Sequence, residues 1–75
     1  MLWENKKYPP FVNEDPFGNQ VSDQMVVKLR SGYQRIHTAF RIERTDGTKL
    51  WIDALSGQEL KDVKAWFPLN ALENQ

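Results

Sequence analysis

The chain has 75 residues, ten Lys or Arg against ten Asp or Glu, and no cysteine. A length of this order makes one domain that buries only about 60% of its unfolded surface, so its core is small and its nine aromatic residues must supply much of it. The missing cysteines exclude disulfide stapling, thiolate catalysis and cysteine-based zinc sites, and no run approaches the roughly 20 apolar residues of a membrane-spanning helix.

Residues 1–24 read as an extended, turn-rich arm. Pro9, Pro10 and Pro16 stand beside Asn5, Asn13 and Asn19, which disfavours a regular helix. Trp3, Tyr8, Phe11 and Phe17 are too apolar for a solvated tail, so the arm is expected to lie across the core face of the sheet formed by the later residues. Asp15-Pro16-Phe17-Gly18 has the pattern of a turn with proline at its second position.

Residues 25–69 carry the sheet. In Met25 to Arg30 the residues Met25, Val27 and Leu29 alternate with Val26, Lys28 and Arg30, and Ser31-Gly32 supplies a turn. The return run, Gln34 to Arg44, puts Ile36, Thr38, Phe40 and Ile42 on one face and Arg35, His37, Ala39, Arg41 and Glu43 on the other. Asp46-Gly47 suits the positive φ values of a tight hairpin turn, and a third strand, Lys49 to Asp53, comes next with Leu50 and Ile52 inward. Beyond it the pattern forks. Ser56 and Glu59 match a helix capping box, yet Val63, Ala65 and Phe67 alternate with Lys64 and Trp66; a short turn or single helical turn at Ser56 to Lys61 and then a fourth strand, Val63 to Phe67, is the favoured reading. Residues 70–75 read as a frayed tail. The expected architecture is an all-β domain, a strongly bent antiparallel sheet or SH3-like barrel of four to five strands. Val27, Leu29, Ile36, Phe40, Ile42, Leu50, Ile52, Val63 and Phe67 are its expected core, and Phe40→Ala is expected to cost about 3 to 5 kcal/mol.

On this reading a basic and aromatic face lies opposite the core. Residues 25–53 hold six Lys or Arg against three acids, and Tyr33, Arg35, His37, Arg41, Lys49 and Trp51 are its candidate binding residues. Trp, Tyr and Arg often dominate protein interfaces, while cations beside aromatic rings also suit single-stranded nucleic acid. An overall neutral chain gains little long-range steering towards phosphate. No catalytic motif stands out: His37 has no cysteine or acidic ligand at metal spacing on its strand, the serines sit in turns, and no glycine pattern matches a phosphate loop.

The ending Val63-Lys64-Ala65-Trp66-Phe67-Pro68-Leu69, with Trp3, Pro9, Pro10, Val26-Val27 and Trp51, resembles a group of short phage- and prophage-encoded proteins of unknown function that finish on V-x-x-W-x-P-L. The resemblance implies a small β-rich fold and a phage-related origin and brings no catalytic residues. The chain is therefore expected to be a non-enzymatic accessory module without cofactor or metal, acting on a protein partner in the cytoplasm. Single-stranded nucleic-acid binding is the alternative, and self-association through an edge strand is a further option.

Overall fold

The computed structural model describes residues 3–69; the expected tail, 70–75, lies outside the described residues. These residues form one antiparallel sheet of seven strands and no α-helix. The strands are β1 (Asn13–Glu14), β2 (Gln20–Val21), β3 (Met25–Leu29), β4 (Ile36–Glu43), β5 (Lys49–Asp53), β6 (Glu59–Leu60) and β7 (Val63–Pro68). The four longest, β3, β4, β5 and β7, are the four expected from the alternation, with boundaries shifted by a residue or two at some ends. β1, β2 and β6 have two residues each, too few for alternation to be visible.

β4 is the spine. One of its edges carries β3 along Ile36–Ala39 and then β2 along Ile42–Glu43; the other carries β5. β7 lies on the far side of β3, and β6 on the far side of β5. Only Lys61 and Asp62 connect β6 to β7, and Leu60 and Val63 pack on the same apolar cluster. The two flanks of the sheet therefore curl towards each other. Between β6 and β7, Asp62 adopts a left-handed conformation (φ 59°), a cost that aspartate tolerates better than most residues.

Where β2 gives way to β3, a side chain continues the ladder. The Ser22 N–H donates to the Arg41 carbonyl (2.9 Å), and the Arg41 N–H donates back to Ser22 Oγ (2.9 Å), whose own proton goes to the Asp23 carbonyl (2.9 Å). Ser22 is buried, so its hydroxyl satisfies a backbone group that would otherwise be stranded away from water. The sequence pattern assigned it only to a turn.

The core lies on the opposite face of β4 from the expected one. Met25, Val27, Ala39 and Trp51 form the buried cluster, with Leu60, Val63 and Trp66 packed against it. Directly paired residues share a side, and the register sets Val27 against His37, Met25 against Ala39 and Arg41 against Trp51. His37, Ala39 and Arg41 thus point inward. Ile36 is 56% exposed, and Phe40, Ile42, Leu50 and Ile52 are half-buried on the second face. Val27 and Phe67 alone among the nine expected core residues are buried, while Leu29 and Val63 are half-buried. The physical reason is a one-residue difference in register. A two-residue turn at Ser31-Gly32 would place Val27 opposite Ile36. Instead the Leu29 N–H reaches the Arg35 carbonyl (2.7 Å), residues 30–34 form a longer loop, and Lys28 takes the place opposite Ile36. A slip of one exchanges every side chain between the faces.

Residues 3–24 are likewise more structured than an arm. Residues 13–21 make a hairpin closed by Asp15, whose Oδ1 accepts the N–H groups of Phe17 and Asn19 (2.9 Å each) and whose Oδ2 accepts the Asn19 amide (2.8 Å). The segment before it does cross the sheet. Glu4 pairs with Trp66 on the outer edge of β7, through both backbone hydrogen bonds (2.8 and 2.9 Å). Trp3 then meets Phe67 edge-on, with centroids 4.6 Å apart, on the second face. Tyr8 lies over the core face. The arm therefore straddles β7.

Candidate functional site

The segment peels away from β7 after Glu4, and the gap it leaves is a notch of about 150 Å³. Tyr8 from the arm, Trp51 from β5 and Trp66 from β7 are its aromatic walls; Lys6, Lys7, Arg30 and Lys64 bring four cations to it. Trp66 fixes the opening, because its indole N–H donates to the Lys7 carbonyl (2.7 Å) and tethers the arm at that point. Arg30 is placed by its N–H bond to the Asp62 carbonyl (2.9 Å) at the β6–β7 link. Lys64 is the residue skipped where the β3–β7 register shifts between Lys28 and Leu29, a bulge that leaves it without a cross-strand partner.

The electrostatics of the notch are one-sided. Among the described residues the ion pairs are His37 with Asp53 and Lys49 with Glu43, so none of the four cations at the notch is neutralised by a carboxylate within 4 Å. Glu4 is the acid on its lining, and its Oε2 accepts the backbone N–H groups of Asn5 and Lys6 (3.1 and 3.2 Å).

Behind the notch Arg41 is 8% exposed and lies between two rings, 3.8 Å from the Tyr8 centroid and 5.6 Å from that of Trp51. Burial pulls its guanidinium below the ordinary arginine value, opposed in part by Tyr8. An arginine stays cationic throughout the neutral range all the same. Desolvation makes a cation over aromatic faces worth about 2 kcal/mol or more, which helps offset the burial of an arginine with no carboxylate partner among the described residues. Its stem and the two rings also hold the arm against β4 and β5.

The six candidate residues from the sequence do not form one surface. Arg41 and Trp51 do meet, but inside the fold, with Tyr8 as the partner that the sequence pattern did not signal. His37 is half-buried and held at both ring nitrogens: Nδ1 lies 3.0 Å from Asp53 Oδ2, and Nε2 lies 2.9 Å from the Gln34 carbonyl. Asp53 also accepts the Leu55 and Ser56 N–H groups (2.8 and 3.2 Å). The Leu55 N–H is the largest influence holding its carboxyl below the ordinary aspartate value; burial works against it, and the Ser56 N–H and His37 add to it. The His37–Asp53 pair thus fastens β4 to the turn after β5. Lys49 sits across from Glu43 and contacts it at 3.6 Å. Tyr33 and Arg35 stand exposed in the loop after β3, where the Arg35 Nε–H makes only a long contact, 3.4 Å, to the Gly32 carbonyl.

Tyr8, Lys6, Lys7, Arg30, Lys64 and Trp66 are the aromatic and cationic residues of the notch that are not among the candidates. The signal for the first three was faint, a Lys-Lys-Tyr run before Pro9, and nothing in it indicates which strand the run will meet. No family model, curated protein or solved structure matches the chain.

Proposed function

We propose that the protein is a non-enzymatic interaction module that binds a protein partner, receiving a carboxylate-bearing segment of that partner at the notch between the arm and β7. The observation that carries this reading is the meeting of four cations that have no carboxylate partner among the described residues with the walls of Tyr8, Trp51 and Trp66. An anionic side chain entering there exchanges bulk solvent for charge-assisted hydrogen bonds from Arg30 and the lysines, beside the ring walls. The cavity is small. At about 150 Å³ it lies below the roughly 300 to 1,000 Å³ of pockets that enclose whole small molecules, so it suits one protruding group of a larger partner.

Single-stranded nucleic acid is supported less well. Its binders stack successive bases along an open, charged track, whereas Trp51 is buried and the aromatic walls here surround a single opening. The reading agrees with the resemblance to short phage-encoded proteins, whose lack of reaction chemistry suits action by occupying a partner's surface. In the same reading the curl of the sheet is an SH3-like barrel, supported by the two-residue link between β6 and β7, and the cysteine-free composition suits the cytoplasm.

Tryptophan fluorescence titrations with a glutamate-rich peptide and with single-stranded and duplex oligonucleotides, each at low and high salt, test the proposal. Arg30 and Lys64 are exposed, so Arg30→Ala with Lys64→Ala leaves the fold intact. Saturable peptide binding that this double variant weakens at least ~10-fold is the expected result. Tighter oligonucleotide binding with a steep salt dependence replaces a protein partner by nucleic acid, and peptide binding indifferent to the double variant overturns the site.

A further inference from the structure

Arg41 is a charge that the fold buries and does not pair. Only 8% of its surface is exposed, and its backbone is fixed on β4 by the reciprocal hydrogen bonds with Ser22. Among the described residues the ion pairs are His37–Asp53 and Lys49–Glu43, and the Arg41 guanidinium donates to no side chain or carbonyl. Glu4, the acid nearest to hand on the notch lining, is occupied with the Asn5 and Lys6 N–H groups. A guanidinium carries five N–H donors in one plane, so the rings of Tyr8 and Trp51 compensate its faces and none of its donors. No sealed side-chain nitrogen lacks a hydrogen-bond partner among the described residues, so this unbonded edge still meets water.

We infer that Arg41 is the specificity-determining residue of the notch, and that the ligand it selects is a carboxylate gripped through two oxygens in the plane of the guanidinium. The inference rests on the notch being the binding site, and adds which of its cations reads the ligand and what shape of anion is accepted. Tyr8 and Trp51 flank Arg41 and also wall the notch, which places the unbonded fork directly behind the opening.

Arginine presents a rigid fork that matches two carboxylate oxygens, whereas lysine is a point charge that any anion satisfies. Lys6, Lys7 and Lys64 are exposed, so they draw anions in without distinguishing them. The rings supply the discrimination. At 3.8 Å from the Tyr8 centroid the guanidinium lies against that ring, with the Trp51 centroid at 5.6 Å. Aromatic faces carry partial negative charge, so an anionic oxygen that leaves the guanidinium plane towards either ring is repelled. A carboxylate keeps both oxygens in the plane; a tetrahedral phosphate turns at least one of its oxygens towards a ring. The burial that pulls the guanidinium below the ordinary arginine value also strengthens any bond it makes to an entering anion.

The Arg41 Nε–H resonance reports this edge in the intact chain. Titration with the glutamate-rich peptide is expected to move it and slow its exchange with water, and the same peptide with glutamine at every glutamate is expected to leave it in place. A peptide with phosphoserine at those positions carries more negative charge, yet is expected to bind more weakly than the glutamate peptide. Arg41→Lys keeps the cation and loses the fork, and is expected to weaken glutamate-peptide binding at least ~10-fold. Should Arg41→Lys also lower the urea midpoint, the resonance of the intact chain still decides. Peptide binding that Arg30→Ala with Lys64→Ala weakens, but that leaves the Arg41 resonance unmoved, overturns the role of Arg41 while the notch stands. Equal or tighter binding of the phosphoserine peptide overturns the selection of a carboxylate. Absence of any saturable peptide binding removes the notch, and this inference with it.

Discussion

The loop of residues 45–47 and the loop of residues 30–34 both return the chain into a neighbouring antiparallel strand, yet only the first has its geometry written in its residues. At the first, the Arg44 N–H meets the Thr48 carbonyl (2.8 Å), the Gly47 N–H meets the Arg44 carbonyl (2.8 Å), and Asp46 Oδ1 accepts the Thr48 N–H (2.9 Å). Gly47 alone takes positive φ there (92°), so this is a three-residue loop with a left-handed glycine, a tight hairpin turn at the place where Asp46-Gly47 suggested one. The resulting facing is the expected one, with Phe40 opposite Ile52 and Ile42 opposite Leu50. At the second loop, Gly32 also takes positive φ (109°), but Tyr33 and Gln34 extend the connection and move the register by one residue. A glycine announces that the chain turns. The number of residues spent turning decides which face is inside.

The largest test of that difference is the pair Trp51→Ala and Phe40→Ala, adjacent strands and opposite faces. Trp51 is 6% exposed and belongs to the central cluster, so its truncation should cost about 3 to 5 kcal/mol, a large share of the roughly 5 to 15 kcal/mol that holds a domain together. Phe40 is half-buried on the second face, and its truncation should cost less. Urea midpoints at low protein concentration rank the two. A larger loss for Phe40 would restore the facing that simple alternation suggested and remove the one that turns Trp51 and Ala39 inward.

Alternation carried much of the fold and little of the site, for reasons visible in single residues. Met25, Val27 and the third-strand residues announce pleated ribbon by their period of two, and Ser56 to Phe67 does resolve into a turn and strands, with Asp53 supporting the turn. Facing on β4 was ambiguous because both sides can be covered. Ile36, Phe40 and Ile42 are the more apolar set, yet Ala39 makes room for Trp51 and Met25, and Arg41 becomes an inward residue once Tyr8 stacks on it. That last contact joins residues remote in sequence through ring and guanidinium planes, and it leaves no periodic trace. The hydroxyl of Ser22 repairing the ladder is equally silent, since a serine before Asp23 reads as a turn wherever it occurs.

A smaller effect distinguishes the far ends of the two hairpins by pH. The Asp53 carboxyl is held below its ordinary value, first by the Leu55 N–H and also by the Ser56 N–H and His37, against the opposing effect of burial. A carboxyl depressed in the fold contributes stability that is full above its unfolded value, about 4, and is lost as pH falls through the lower folded value. Asp53→Asn should therefore reduce the urea midpoint at neutral pH by less than Trp51→Ala does, and the gap between this variant and the intact chain should shrink on acidification below about pH 4. A gap that stayed constant down to low pH would mean that the charge on Asp53 does not fasten the β5–β6 turn to His37.

The smallest expected effect is the most pointed, because it concerns the residue that begins β4 after the longer loop. Ile36 is apolar, β-branched and central to the alternation that suggested the core, yet it is 56% exposed and faces Lys28. Replacing an exposed side chain away from caps, cavities and buried polar groups changes stability by about 0.5 kcal/mol or less. Ile36→Thr keeps the branching that suits a strand, so the remaining change is apolar surface against water. Its urea midpoint should match that of the intact chain, while Val27→Ala, in the neighbouring strand and fully buried, should fall well below both. Were Ile36→Thr to cost as much as Val27→Ala, the register of the first hairpin would have to be the shorter one, with Val27 and Ile36 side by side, and the inward places of His37 and Arg41 would be lost with it.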